Sequence, residues 1–168
     1  MLKQLQKHKS TQGFTIIEVL IVLAIAGLIM VVVFLAVPAL QRSGRNNALN
    51  TDANNILTSV GNYTSNNAGT LPAAVAATAP SGGYVTIGAS GTNQEKAKVD
   101  SGINTVQIDD GSTVIGTTNV GTVEVVIGAK AVCNATGTGL SGTGSPRSYA
   151  VLYVAESGSG NILKCIGA

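Results

Sequence analysis

From Val19 to Val37 the chain runs for 19 residues without a charged side chain. As an α-helix rising about 1.5 Å per residue, this stretch nearly matches a bilayer hydrocarbon core of roughly 30 Å. A lone apolar segment must satisfy its own backbone hydrogen bonds wherever water is excluded, and a helix does so internally. The expectation is therefore one membrane-spanning helix. An ordinary secretory signal has an apolar core of about 7 to 15 residues followed by a small-residue cleavage site. The apolar run here is longer and contains Glu18, and the Ala24-Ile25-Ala26 triplet that fits the cleavage pattern falls in mid-helix.

The remainder is a different material, rich in Gly, Ser, Thr, Asn and Ala. Only 11% of the 168 residues are charged while 45% are hydrophobic, and the apolar excess lies between Phe14 and Leu40. A length of this order holds one compact domain plus an appendage. The net charge of +2 depends on Lys3, Lys7 and Lys9. A chain starting at Phe14 carries 7 basic against 8 acidic residues. That near-neutral balance, without a basic stripe, provides no footprint for nucleic acid. Cys133 and Cys165 both follow the apolar segment, and pairing is their simplest account if that part of the chain lies outside the cytoplasm. Two unrelated buried thiols are the alternative.

Residues 1–13 are polar and basic and read as a targeting leader. The positive-inside tendency keeps them cytoplasmic, although Arg42 and Arg45 beyond the segment reduce the bias. Glu18 is the informative residue, because a carboxylate within a membrane helix costs about 2.5 kcal/mol or more without a partner. No basic side chain lies one turn away on its face. Cleavage after Gly13 creates an α-amino group at Phe14, four residues before Glu18. A membrane anchor with a stray acid is the plainer alternative.

Gly13-Phe14-Thr15-Ile16-Ile17-Glu18 resembles the prepilin signature of type IV pilins and pseudopilins. The resemblance implies cleavage after Gly13 by a prepilin peptidase, N-methylation of Phe14, and a role for Glu18 in subunit addition. Pairing of Glu18 with a neighbouring subunit's Phe14 amine would cancel two charges in an apolar filament core. It further implies self-polymerisation from the inner membrane on an assembly platform driven by an ATPase, with the product an extracellular pilus and no cofactor. Gly27 stands where many pilins carry a helix-weakening glycine. The proline common further along is absent, Leu35 occupying its place, and Pro38 follows three residues later. A bend is expected near Val37, with the Gly27–Pro38 stretch as a candidate for loosening in a filament.

Beyond Pro38, Leu49, Ala53, Ile56, Val60 and Tyr63 recur at helical spacing. The domain plan is a leader at 1–13, a membrane and polymerisation helix at 14–40 and a globular domain at 41–168. Within that domain we expect an amphipathic helix at 41–64, a connection at 65–83 with Pro72 and Pro80, and a sheet over 84–168. Strands are expected at Tyr84–Ile87, Ile103–Ile108, Val123–Ile127 and Tyr149–Val154, with a hairpin loop at Glu156–Gly160 leading into Asn161–Ile166. Asp109-Asp110-Gly111 reads as a turn. The fold class is α+β, a long helix laid on a small antiparallel sheet, which is also the architecture of the resembled family. In many pilins a C-terminal disulfide loop forms an exposed variable surface, to which Cys133–Cys165 would correspond. A disulfide that only pins the last strand is the equal alternative.

Gly137-Thr-Gly139-Leu-Ser-Gly142 matches GxGxxG but lacks the strand and helix that make a phosphate cradle. Asn62-Tyr-Thr64 and Asn134-Ala-Thr136 match the glycosylation sequon at a frequency expected by chance. The only histidine, His8, lies in the leader, which removes histidine-based catalysis and ligation from the mature chain. The reading is a structural subunit and no enzyme. Its alternatives are a pseudopilin of a type II secretion or competence apparatus, and a membrane-anchored extracellular binding module that never polymerises.

Overall fold

The computed structural model describes residues 13–91, 93–100, 102–112 and 115–167; the expected leader, apart from Gly13, lies outside the described residues. The chain divides into two compact units, Met1–Leu40 and Gln41–Ala168. One helix, α1 (Ile16–Asn66), contributes to both and contains Pro38. Proline has no N–H, so the Phe34 carbonyl is without its usual partner four residues on.

In the first unit every described residue from 13 to 40 is exposed. Apolar side chains such as Ile16 (82% exposed) and Phe34 (77%) find no cover within the chain. In the second unit α1 buries Leu49, Asp52, Ala53, Ile56, Ser59, Val60 and Tyr63. The five apolar members are the stripe expected from spacing. Asp52 is tolerated in it because both its carboxylate oxygens accept the Asp100 backbone N–H, each at 3.0 Å.

The strands are β1 (Val75–Thr78), β2 (Tyr84–Ile87), β3 (Glu95–Lys98), β4 (Thr105–Asp109), β5 (Thr122–Ile127), β6 (Tyr149–Ser157) and β7 (Gly160–Gly167). Five form a sheet in the order β1-β4-β5-β6-β7, and β2 with β3 forms a separate hairpin. The core lies between α1 and one face of the large sheet, with Val106, Ile108, Val123, Val125, Val151 and Tyr153 projecting toward the helix stripe. Val85, Ile87 and Ala97 of the hairpin join the same core. A smaller cluster, Val126, Ala131, Ala150, Leu152 and Cys165, covers the opposite face. Alternation along β5 and β6 supplies both faces from the same strands.

The α+β layout agrees with the expectation, and three details differ. The sheet is mixed, because β4 and β5 pair in parallel while its other neighbours are antiparallel. Parallel neighbours need a crossover of about a dozen residues, and Asp110–Gly121 supplies it. Asp109 and Asp110 do form a turn, accepting the Gly111 and Ser112 amides at 2.6 and 3.0 Å, but it opens this crossover rather than a hairpin. Gly121 closes it at φ +85°, its carbonyl accepting the Asn104 N–H at 2.8 Å, and a Cβ there would strike the Gly102 carbonyl. Second, the stretch 65–83 expected as a connection contains β1, whose alanines offer little strand propensity. Third, Tyr84–Ile87 pairs with β3 outside the large sheet. The Glu-Lys-Ala-Lys sequence of β3 has no β-branched residue, so pairing and the burial of Ala97 decide its conformation.

The helix is also pinned by polar contacts. Arg45 donates to Glu156 through Nε at 2.8 Å and an Nη at 2.6 Å. Asn46 exchanges two hydrogen bonds with the Glu156 backbone, at 2.8 and 2.9 Å. The Arg45 hydrogen bond holds the Glu156 carboxyl below the usual carboxylate range.

Burial predicts opposite outcomes for isoleucines on the two halves of α1. Ile56→Ala, at a position 0% exposed, should destabilise the full chain in detergent micelles by about 2 to 5 kcal/mol in denaturant unfolding. Ile29→Ala, where the chain covers nothing, should change stability by less than about 0.5 kcal/mol. Equal losses at the two sites would contradict this division.

Candidate functional site at the start of the apolar helix

The described chain begins with Gly13, Phe14 and Thr15 outside regular secondary structure, and α1 starts at Ile16. Thr15 is its N-cap. The Thr15 carbonyl accepts the Val19 N–H at 3.3 Å, and the Thr15 hydroxyl oxygen accepts the Glu18 N–H at 3.4 Å. Glu18 reaches back, its Oε2 accepting the Thr15 N–H at 2.9 Å and the Thr15 hydroxyl at 2.7 Å. This reciprocal arrangement is a capping box, which satisfies donors that the first turn leaves orphaned. Phe14 precedes the cap, and with Val19, Val22 and Leu23 it lines an apolar recess beside Glu18.

The capping box provides Glu18 with partners other than a cation. Two hydrogen-bond donors and the positive end of the helix macrodipole offset part of the cost of a carboxylate in an apolar segment. The Thr-x-x-Glu signal was present in the sequence as Thr15 and Glu18, yet charge reasoning alone passed over it. Phe14 carries a peptide nitrogen in this chain, so no α-amino charge stands beside Glu18.

Gly27 and Pro38 both lie inside α1 and are exposed. A Cβ added at Gly27 would meet nothing within 4 Å. Packing within the chain therefore does not demand glycine there. Cys133 and Cys165 are joined by a disulfide with Cα atoms 5.6 Å apart. It ties the segment between β5 and β6 to the edge strand β7. The same segment continues along that edge, the Gly137 carbonyl accepting the Cys165 N–H at 2.8 Å. In the Gly137–Gly142 tract Gly137 bonds the β7 edge while Gly139 and Ser141 bond back to Asn134 and Val132, and Asn134 Oδ1 orders it by accepting from Thr138 N–H at 3.0 Å and the Thr136 hydroxyl at 2.9 Å.

Two outcomes follow from this geometry. Thr15→Ala in the uncleaved chain should cost the first turn about 1 kcal/mol, read as faster amide exchange at Ile17 and Glu18 with Ile29 unchanged. Equal exchange in both chains would exclude the capping role. Cys133→Ser should lower the stability of the globular unit by roughly 3 to 4 kcal/mol through the loop entropy released to the unfolded chain, measured by urea unfolding with and without reductant. A loss that is identical in reductant would assign the effect to packing instead.

Comparison with curated proteins and with solved structures gives no match. A family model does match residues 8–34, that of the prokaryotic N-terminal methylation motif. The matched stretch contains Gly13, Phe14, the Thr15–Glu18 cap and most of the exposed apolar half of α1. Such a motif implies processing by a prepilin peptidase and a structural role. Residues 8–34, which include Gly13-Phe14 and the Thr15–Glu18 cap, thus carry the prokaryotic N-terminal methylation motif, the signature of type IV pilins and pseudopilins.

Proposed function

We propose that the protein is the structural subunit of a type IV pilus, polymerised through the apolar half of α1. The observation that carries this reading is the complete exposure of residues 13–40, most of which lie within the methylation motif at 8–34. An apolar surface of that length is covered by lipid in the precursor and by neighbouring copies in a filament, because water is the only other choice. The motif and the helix fit a membrane-anchored precursor. In this proposal the N-terminus faces the cytoplasm, the leader ends at Gly13, and cleavage frees the Phe14 amine for methylation.

Glu18 then changes partner. In the precursor its carboxylate is held by Thr15. In the filament it pairs with the Phe14 amine of an adjacent subunit, and the charge that was tolerable near the membrane surface is neutralised within the apolar core. Gly27 and Pro38 bracket a stretch whose backbone is weakened at both ends, which allows the helix to loosen as subunits pack. The partners of this cycle are other copies of the chain, a prepilin peptidase, and a membrane platform with its ATPase. The globular unit forms the filament surface, with adhesion, motility or DNA uptake as the roles open to it. The disulfide-bearing loop at β7 is a tether for that surface outside the cytoplasm.

Material sheared from cells tests the processing step. Intact mass and N-terminal sequencing should give a chain beginning with N-methylated Phe14, and a chain beginning at Met1 would reject the proposal. The assembly step is tested by Glu18→Ala, which should leave membrane insertion intact and reduce filament yield by an order of magnitude or more, comparable to the loss of a buried ion pair worth about 3 to 5 kcal/mol. Normal yield of filaments by electron microscopy would remove the charge pairing from the mechanism.

A further inference from the structure

Glu124 is the most deeply buried acid described, at 0% exposure in the middle of β5. Its side chain lies on the sheet face turned away from α1, with Gln107 of β4 and Leu152 of β6 as its register neighbours. Oε2 accepts the Ile115 N–H at 2.9 Å, so Glu124 holds the middle of the Asp110–Gly121 crossover against the sheet. Among the described residues Oε1 has no hydrogen-bond partner. An ionised Glu124 would leave that oxygen a bare acceptor in an apolar surrounding, which native structures avoid.

The charged groups around it leave one candidate for the missing contact. Asp109 lies two residues beyond Gln107 on the same face of β4, the diagonal position that a long side chain reaches, and its carboxyl bears directly on Glu124. Asp109 is already supplied with donors, accepting Gly111 N–H at 2.6 Å and the Gln107 amide at 3.2 Å. In the crossover, Asp110 accepts from Ser112 and is attracted by Lys130 of the following segment. Arg147 of that segment stands beside Gly69. From β6, Glu156 is taken by Arg45. On β7, Lys164 alternates with Leu163 and Cys165 and so belongs to the other face. No cation among the described residues therefore meets Glu124; it meets a second carboxyl.

We propose that Glu124 retains its proton in the folded protein, Oε1–H donating to the neighbouring Asp109 side chain, and that this contact is a pH-sensitive latch on the Asp110–Gly121 crossover. The proton converts the bare acceptor into a donor and removes a like-charge contact in one step. Burial, opposed by the Ile115 hydrogen bond and reinforced by Asp109, pushes Glu124 up from 4.5 to about 7. The folded chain then retains a proton that the unfolded chain has already released. Stability consequently falls as pH rises between those two values and levels off above the upper one, the unfolding constant climbing by a factor that approaches ten per pH unit.

The test compares the full chain with Glu124→Gln in detergent micelles. Gln is isosteric, accepts from Ile115 and donates to Asp109 without titrating. Urea unfolding between pH 5 and 8 should show the wild type losing ground to the variant by several-fold per pH unit up to about pH 7, since Glu18, Asp52 and the remaining acids are common to both. A pH-independent ratio of the two unfolding constants overturns the latch. Should the variant fail to fold, the side-chain carboxyl carbon of Glu124 in the wild type decides by NMR titration. A midpoint near 7, with exchange at the Ile115 amide rising through it beyond the intrinsic increase, supports the proposal, and an ordinary glutamate midpoint overturns it.

Discussion

An apolar helix that its own chain leaves bare is the constraint from which the rest follows. Residues 13–40 have no internal cover, and the area involved cannot remain in water at equilibrium. The helix can persist there because its backbone is self-satisfied apart from its first turn and the Phe34 carbonyl opposite Pro38. The Thr15–Glu18 box supplies that turn. Glu18 thereby combines two properties that are usually opposed. It stabilises the helix start, and it keeps a carboxylate within an apolar surface.

The second half of α1 solves a different problem with the same backbone. A stripe of Leu49, Ala53, Ile56, Val60 and Tyr63 replaces all-round hydrophobicity, and one face of a mixed sheet covers it. Polar residues that interrupt the stripe are not left orphaned, as the bonds from Asp100 to Asp52 demonstrate. Arg45 and Asn46 engage the end of β6 where the globular unit begins, so the helix is fixed by direction-specific contacts as well as by burial.

The second face of the sheet has another character. It is covered by the Asp110–Gly121 crossover and the disulfide-bearing segment rather than by a helix. Loops supply fewer apolar atoms than a helix face, which leaves room for a carboxyl such as Glu124 and makes its protonation consequential. In the sequence Glu124 was visible as a lone acid within the run Thr122–Ile127, a pattern that alternation alone would have assigned to solvent. The neglected sign was the β-branched residues on both sides of it, which mark a strand buried on both faces.

Local physics made the N-terminal half legible. The length of the uncharged run, the Gly13-Phe14 junction, Glu18 and the helical stripe all act through neighbours within a few residues, so a linear reading determined the apolar helix, the amphipathic continuation and the α+β class. The strands rich in Val, Ile and Tyr were legible for the same reason. Tertiary structure alone decided the parallel β4–β5 pairing, the separation of the β2–β3 hairpin, the strands β1 and β3 of weak propensity, and the meeting of Glu124 with Asp109. Those features depend on contacts between residues far apart in the chain or on adjacent strands, where the free energy of burial and pairing overrides local preference.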